Sequence, residues 1–424
     1  MSGGNSRFTA GAIRFAYNGL DDLQAVMPDL TETEIETTDF GTYTEDQFFD
    51  DMFRVTQHRT DPDLCEVLVR QSFSTIRWMR EKGVRFVPLI GSATKRGIDV
   101  WYDSRALELI TDGVAVTGVK IRRKGQIEEV AAKSVILAAG GFQASTEMRT
   151  RYLGPNWDLA KVRGTPYNTG DGIRMAMEIG ASSAGNWSGC HAVGWERNAP
   201  EFGDLAVGDG FQKHSYPFGI IVNAKGERFV DEGADFRNYT YAKYGREVLA
   251  QPGHFAWQIF DKKTLHLLRG EYRIREVTKV SADTIEELAT KLEGVDPEGF
   301  IATVKAYNEA VQTDIPFNPN VKDGRATKGL SLPKSNWANQ LTEAPFEAYA
   351  ITCGITFTFG GLRIDTDAKV QSTDYTPIPG LFAAGEMVGG IFYNNYPGGT
   401  GLMNGAVFGK IAGKSAAAYI GGKS

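Results

Sequence analysis

The spacing of apolar residues predicts a long helix early in the chain. Asp61 followed by Pro62 is typical of a helix start, because aspartate accepts from the free N–H groups and proline suits the first turn. Apolar residues then recur at helical spacing until Gly83, which is typical of a helix end. The positions that share this face are Leu64, Val67, Leu68, Ile76 and Met79.

Shorter apolar runs predict strands and one further helix. We expect a strand at Val84–Leu89 and a buried strand at Ser134–Ala138 that runs into paired glycines. A helix is expected at Asp171–Ile179, closed by Gly180. Between them a meander, turning at Asp112-Gly113, is predicted from Ile98–Tyr102, Ala106–Ile110 and Val114–Ile121.

The sequence pattern changes between about residues 211 and 344, where a predicted hairpin, charged helical stretches and a polar loop follow one another. We therefore predict an inserted domain over 211–344, and a second domain built from 1–210 and 345–424. The stretches on which this division depends are Gly219–Val230, Ser281–Leu292, Pro297–Gln312, Ile315–Ser335, Gly361–Asp365, Gly380–Ala384 and Gly405–Tyr419.

Composition and charge exclude several classes of protein. The 424 residues are 42% hydrophobic and 23% charged with net charge -6, and Lys and Arg form no run, which argues against nucleic acid as a partner. Three widely spaced cysteines without a CxxC pair favour a reducing compartment. No leader is recognisable in Met1–Tyr17 and no apolar stretch approaches the ~18 residues of a membrane span, so a cytoplasmic location is predicted.

Glycine is enriched and concentrated where apolar runs end. The chain has 49 glycines in 424 residues, and they cluster as pairs beside apolar runs, where backbone can approach a ligand closely. One such string is Ser134–Phe142 and another is Ile378–Glu386, followed by a small-residue helix whose N–H groups suit an electron-rich ligand. The alternative for the first string is a sharp turn, and the alternative for the second is a point where a strand and a helix pack tightly.

Together with the opening string Gly3–Ala12, these motifs resemble the fumarate reductase/succinate dehydrogenase flavoprotein family. Within it the chain is most similar to the FAD-dependent tricarballylate dehydrogenase group, at Gly3–Tyr17, Gly226–Gly245, Cys353–Asp365 and Tyr396–Gly413. The resemblance implies an α/β fold with an FAD-binding three-layer domain of the two-dinucleotide-binding type and an inserted α+β capping domain. The implied cofactor-binding residues are Gly4, Asn5, Ser6, Thr9, Ala139, Gly140, Gly141, Asp171, Gly385, Glu386, Gly401, Leu402 and Met403.

Two pieces of the family pattern are missing from the printed sequence. A strand, a GxGxxG turn and a helix are expected before Gly3, and a glycine-rich loop and helix are expected after Leu89. The FAD-binding domain is therefore predicted to be incomplete. The chain is then a truncated flavoenzyme, a protein that binds FAD weakly or differently, or one that kept only the pocket. Because no histidine precedes His58, bound FAD is expected to be noncovalent.

Three residues are implied as catalytic by the resemblance. Arg237 stands near the proton-transferring arginine of fumarate reductases, and its alternative role is a structural clamp to Asp231 or Glu232. His191 matches a substrate-binding histidine, and its alternative is a hydrogen-bonded core residue. Tyr396 stands where the family has a carboxylate-binding arginine, and Phe357 where it has a second histidine.

Three functional hypotheses remain open at this point. The first is a hydride transfer between flavin N5 and a C–C bond beside a carboxylate, with a tricarballylate- or aconitate-like substrate. The second is an enone or 3-ketosteroid type of dehydrogenase, in which Tyr396 polarises a ketone. The third is a flavin-free protein that binds small acids. No haem or iron–sulfur motif is present, so the electron-transfer partner is unknown.

Overall fold

The computed structural model describes residues 4–9, 11–84 and 98–422 as a mixed α/β protein. Its α-helices of six residues or more, among the described residues, begin and end as follows: α1 Leu20–Val26, α2 Glu32–Thr37, α3 Glu45–Val55, α4 Pro62–Glu81, α5 Asp171–Glu178, α6 Tyr241–Leu249, α7 Ile285–Lys291, α8 Pro297–Ala310 and α9 Thr400–Ile420. None of the helices in these ranges is both long and apolar enough to cross a lipid bilayer.

In the described part of the chain the strands form four sheets. A three-stranded antiparallel sheet has the order β1-β2-β3, a six-stranded sheet surrounds β11, β12 pairs with β6, and a small sheet has the order β13-β14-β4. The strands are β1 Ser104–Thr111, β2 Val116–Arg123, β3 Gln126–Ala131, β4 Val135–Leu137, β5 Lys161–Val162, β6 Ser183–Ala184, β7 Cys190–Glu196, β8 Ile220–Val222, β9 Ala256–Phe260, β10 Lys279–Ala282, β11 Phe346–Thr358, β12 Gly361–Leu362, β13 Lys369–Gln371 and β14 Pro377–Ala383.

The long strand β11 holds the largest sheet together. Its first half pairs with β9 and β10, and its second half pairs with β7 and β5. Most of its 13 residues are buried, as expected for a strand with neighbours on both sides and elements packed on its faces. The sheet therefore joins strands from both sides of the predicted boundaries at 210 and 344, and the division into domains stays a prediction.

The small sheet brings the two predicted glycine-rich strand ends together. β4 and β14 pair in parallel, with Ala383 opposite Leu137, and the Ala384 N–H donates to the Leu137 carbonyl at 3.0 Å. Both strands were predicted from their apolar runs. Because carboxyl ends of parallel neighbours emerge at the same edge, Gly140-Gly141 and Gly385-Glu386 leave the sheet side by side.

Helix α4 confirms the first prediction from the apolar spacing. The Asp61 side chain accepts from the backbone N–H groups of Asp63 and Leu64, both at 3.1 Å. Of the predicted face, Leu64 and Leu68 are buried, and Val67, Ile76 and Met79 are half-buried. Cys65 and Val69, which the prediction did not include, are also buried. The helix ends two residues before Gly83, whose φ of +81° suits glycine.

Other predicted elements differ from the structure. Ile98–Tyr102 forms no strand. The third strand of the meander is β3, which pairs with β2 although its polar sequence does not predict a strand. The stretch Ser281–Leu292 divides into the end of β10 and helix α7, because β10 pairs with the start of β11. The expected strand at Val84–Leu89 and the shortened segment after it lie almost wholly outside the described residues.

Helix α6 sits so close to β7 that one of its positions requires glycine. A Cβ atom on Gly245 would lie 2.4 Å from the Ala192 carbonyl carbon and 2.4 Å from the Val193 nitrogen. Both are backbone atoms of a buried strand that cannot move aside. We therefore expect Gly245→Ala to lower the free energy of unfolding by about 1–3 kcal/mol, measured by urea denaturation.

The matched control is Gly409→Ala in helix α9. A Cβ atom there meets nothing within 4 Å, and alanine is the better helix former by about 0.8–1 kcal/mol. This variant should be as stable as the unaltered chain or slightly more so. Equal stability of both variants and the parent would contradict the close packing of α6 on β7.

Candidate active site

A carboxylate lies between the two glycine-rich strand ends. The Glu386 carboxylate accepts from the Thr358 N–H at 3.0 Å, from the Gln143 amide at 3.2 Å and from the Asn168 amide at 3.4 Å. A Cβ on Gly141 would lie 2.3 Å from one of its oxygens, so glycine is required for this contact. Burial raises the pKa of Glu386 to about 7, against the lowering effect of these hydrogen bonds.

The start of helix α9 meets the same strand end. Gly385 and Gly405 approach so closely that a Cβ on Gly385 would lie 3.8 Å from the Gly405 Cα. The Asn404 amide donates to the Gly385 carbonyl at 3.2 Å, and its own oxygen is buried with no partner among the described residues. No side chain caps the helix at Gly399. The Thr400 N–H donates to the Pro397 carbonyl at 3.2 Å, and among the described residues the N–H groups of Gly401 and Leu402 remain available to an acceptor.

These features fit the ring end of FAD. A long helix with uncapped N–H groups suits the electron-rich edge of a flavin, and the absence of side chains at Gly385 and Gly405 allows a flat group to approach the backbone. Gly385, Glu386 and the first turn of α9, which contains Gly401, Leu402 and Met403, could hold that ring.

A cluster of aromatic side chains surrounds His191. The imidazole centroid lies 4.8 Å from the Tyr396 ring, 4.9 Å from the Tyr241 ring and 5.2 Å from the Phe357 ring. Phe357 is opposite His191 in the pairing of β11 with β7. Tyr241 begins α6, which packs on β7, and its hydroxyl is hydrogen bonded to that of Tyr396.

The aromatic cluster lies next to the start of α9. A Cβ on Gly401 would lie 3.7 Å from the Phe357 ring and 3.8 Å from the Tyr396 ring. Of the three predicted catalytic residues, Tyr396 therefore lies beside a predicted cofactor-binding residue, and His191 lies against the rings of Tyr396 and Phe357.

Arg237, the third predicted catalytic residue, forms no ion pair with its acidic neighbours in sequence. Glu232 pairs with Arg228 at 2.5 Å, and Asp235 pairs with Arg54 at 2.7 Å. No carboxylate of the described residues lies within 4.0 Å of the Arg237 guanidinium, so the alternative of a structural clamp is wrong. Its contacts are His214 Nδ1, 3.4 Å from Nη1, and the Tyr241 ring.

Three neighbours of the site were not predicted from the sequence. Arg163 and Asp209 form a bidentate pair at 2.6 and 2.8 Å near the two tyrosines. His214 is buried beside Tyr241. The sequence spacing of His214 does not indicate a site residue, because only the fold brings its side chain next to Arg237. Burial, with nearby arginines second, keeps the pKa of His191 and His214 well below the ordinary value, so both rings are neutral.

The remaining predicted cofactor residues have other contacts. Asn5, in a short helical segment with Gly4 and Ser6, accepts from the Thr165 N–H at 2.8 Å, while Thr9 is exposed. Asp171 begins α5 and pairs with Arg105 at 3.0 Å. Ala139 is exposed at the end of β4, and a Cβ on Gly140 would collide with Asn168. Their cofactor roles stay predictions.

The raised pKa of Glu386 gives the stability a pH dependence. A folded-state pKa of about 7, above the usual 4.5, means that its contribution is full below about pH 4.5 and is lost as pH rises through 7. We expect Glu386→Gln to remove this loss, on the order of 1–3 kcal/mol, so that the melting temperatures of the two proteins converge or cross between pH 5 and 8.

The exposed residue Glu286 in α7 provides the matched control. Glu286→Gln should leave the pH profile of the melting temperature unchanged. Parallel profiles for the Glu386→Gln variant and the parent would show that Glu386 has no raised pKa.

Comparison with known proteins identifies the family. The FAD binding domain family matches residues 86–402. The chain is 30% identical over 404 residues to an NADH:fumarate oxidoreductase of Klebsiella pneumoniae, covering 87% of this chain and 40% of the relative. It is 29% identical to a probable fumarate reductase of Shewanella frigidimarina, covering 99% of this chain and 69% of the relative.

A third relative and two solved structures extend the comparison. A 4-oxocyclohex-2-ene-1-carboxylate 5-dehydrogenase of Sinomonas cyclohexanicum is 30% identical over 84% of this chain and 63% of its own length. An open flavocytochrome c3 fumarate reductase matches with a TM-score of 0.73 and 28% identity, covering 99% of this chain and 72% of that one. A 3-ketosteroid Δ1-dehydrogenase of Sterolibacterium denitrificans shares the fold, with a TM-score of 0.71 and 21% identity over 98% of this chain and 93% of that one.

The chain spans 40% of the length of the first of these relatives. The relatives named here include no tricarballylate dehydrogenase, and that narrower expectation stays a prediction. The matched family, the fumarate reductase relatives and the shared fold agree with the motifs and with the fit of the strand ends to a flavin. The chain therefore belongs to the FAD binding domain family, among the flavoproteins of the fumarate reductase and succinate dehydrogenase type, whose cofactor is FAD.

Proposed function

We propose that this chain acts as an FAD-dependent oxidoreductase that transfers a hydride between flavin N5 and one carbon of a C–C bond beside a carbonyl or carboxylate. The observation that carries the proposal is the position of Gly401 beside the rings of Phe357 and Tyr396. It joins the proposed flavin-binding turn of α9 to the buried polar groups around His191. A substrate bound among those groups would lie against the flavin.

Bound FAD supplies the hydride acceptor, or the donor in the reverse direction. The task of the chain is to hold the oxygen that activates the C–C bond and to move one proton. The hydroxyls of Tyr241 and Tyr396 and the neutral ring of His191 are buried hydrogen-bond donors that can stabilise charge on that oxygen. Their burial also keeps water away from the reacting carbon.

Arg237 is proposed to handle the proton on the neighbouring carbon. Its guanidinium has no carboxylate partner within 4.0 Å in the part of the chain that the structure describes, which leaves its N–H groups available. Burial lowers the pKa of Arg237, with the charge of Arg269 as the second cause. Both effects ease release of a proton to a carbanion, and in the opposite direction a neutral arginine would accept one.

Two substrate classes remain candidates. A tricarballylate- or aconitate-like acid carries three carboxylates, and Arg237 would balance only one of them. An enone needs one polarised oxygen, which the Tyr241–Tyr396 hydroxyl pair could hold. The similarity to a 4-oxocyclohex-2-ene-1-carboxylate 5-dehydrogenase, whose name contains both a ketone and a carboxylate, favours a substrate with a carbonyl.

The first test replaces the proposed proton donor. We expect Arg237→Lys to lower the rate of flavin reduction by substrate about 10²–10⁴-fold, because lysine keeps the charge but not the position of the guanidinium N–H groups. The measurement is loss of flavin absorbance after rapid mixing, with the protein supplied with FAD.

Arg54→Lys is the matched control, since Arg54 is half exposed and pairs with Asp51 and Asp235 outside the aromatic cluster. It should reduce flavin at the parent's rate. An unchanged rate in the Arg237→Lys protein would remove Arg237 from the mechanism. Failure of the parent chain to bind FAD in a fluorescence titration would favour the hypothesis of a flavin-free acid-binding protein.

The second test separates the substrate classes. We expect Tyr396→Phe to slow oxidation of a cyclic ketone about 10²–10³-fold, because the oxygen loses a buried donor. A substrate activated only by a carboxylate should be slowed less than about tenfold. The control is Tyr393→Phe, because the Tyr393 hydroxyl contacts the exposed Arg59. Equal losses with both substrates would contradict the assignment of a carbonyl to Tyr396.

A further inference from the structure

His214 occupies a defined position beside Arg237. The residue is buried before β8, and its ring packs edge-on against Tyr241 with centroids 4.9 Å apart. Its Nδ1 atom lies 3.4 Å from Nη1 of Arg237. Because a guanidinium can only donate, Nδ1 must accept, and the proton of the neutral ring therefore sits on Nε2.

The Nε2 atom of His214 has no partner in the described residues. It is buried, and so are both ring nitrogens of His191, which also lack partners there. The two histidines pack against the same Tyr241 ring, at equal centroid distances of 4.9 Å. Buried N–H groups left without an acceptor are unfavourable, so this pair indicates a place where a ligand supplies the acceptors.

The charges around His214 favour an anionic ligand. Arg163, Arg237 and Arg269 all act on its ring. Arg163 is balanced by Asp209 at 2.6 Å and Arg269 by Glu271 at 2.9 Å. Arg237 has no such balance within 4.0 Å in the described ranges. An anion on the Nε2 side of the ring would supply the missing acceptor, near an arginine whose charge no carboxylate of the described residues balances at that distance.

We infer that His214 is a substrate-binding residue that donates from Nε2–H to a carboxylate of the substrate. This inference rests on the proposed function for its ligand, a substrate that carries a carboxylate. In this arrangement Arg237 locks the tautomer of His214 through Nδ1 and contributes positive charge near the anion. His214 thereby supplies a donor in a site where Phe357 stands in place of a histidine.

Two amide replacements separate the two ring nitrogens. In His214→Asn the side-chain amide reaches only the position of Nδ1, so an acceptor for Arg237 remains but the donor at Nε2 is lost. In His214→Gln the amide reaches the position of Nε2 and can donate there. His214→Ala removes both groups. The exposed residue His266 gives a matched control, His266→Asn.

The measurement is calorimetric binding of malonate to the chain supplied with FAD, with neutral malonamide as the second probe. Malonate has two carboxylates and no C–C bond that can be dehydrogenated, so binding is observed without turnover. We expect the Asn and Ala variants to bind malonate about tenfold to a hundredfold more weakly, as for loss of a hydrogen bond to a charged group. The Gln and His266→Asn variants should stay within about threefold of the parent. Malonamide, whose neutral oxygens accept a weaker hydrogen bond, should lose clearly less affinity than malonate in the Asn and Ala variants.

Each other outcome overturns the inference. Parent-like malonate binding by the Asn variant would show that Nε2 makes no contact. Equal weakening by Asn, Ala and Gln, or equal weakening with malonamide, would show that His214 only packs the site. If the parent did not bind malonate, the proposal that His214 binds a carboxylate would be wrong. Flavin reduction tests the proposed function separately, because an enone can reduce the flavin even if no carboxylate binds at His214.

Discussion

The pairing of β11 with β7 is the constraint on which the candidate site depends. It fixes His191 opposite Phe357, and the packing of α6 on β7 then brings Tyr241 to the same imidazole. Because β11 also pairs with β9 and β10, the same strand carries the connection to the 211–344 segment, from which His214 and Arg237 come. A shift of one residue in this register would turn the polar groups away from one another.

Burial and charge decide what the assembled groups can do. The two histidines are neutral because they are desolvated near arginines, and Arg163 is held by Asp209. Arg237 keeps its charge without a carboxylate partner within 4.0 Å among the described residues. The site therefore presents neutral donors around one available cation, which suits a substrate that gains negative charge during reaction.

The predictions that succeeded depended on local patterns. Helix α4 followed from its cap and apolar spacing, and β4 and β14 from short apolar runs that end in glycine. The predictions that failed depended on a partner strand. β3 is polar and forms only because β2 lies beside it, and the segment before α7 became β10 by pairing with β11. The stabilisation that two strands gain by pairing cannot be recognised in the residues of either strand alone when they are far apart in sequence.

The sequence by itself determined the family, the cofactor class and the identity of most candidate residues, since these depend on strings of adjacent residues such as Tyr396–Gly413. Only the tertiary structure decided how those residues act. It showed that Arg237 has no partner in Asp231 or Glu232 and that it meets His214. It also gave Glu386 a raised pKa. Contacts, burial and charge balance are properties of the folded arrangement, because they arise between side chains that are far apart along the chain.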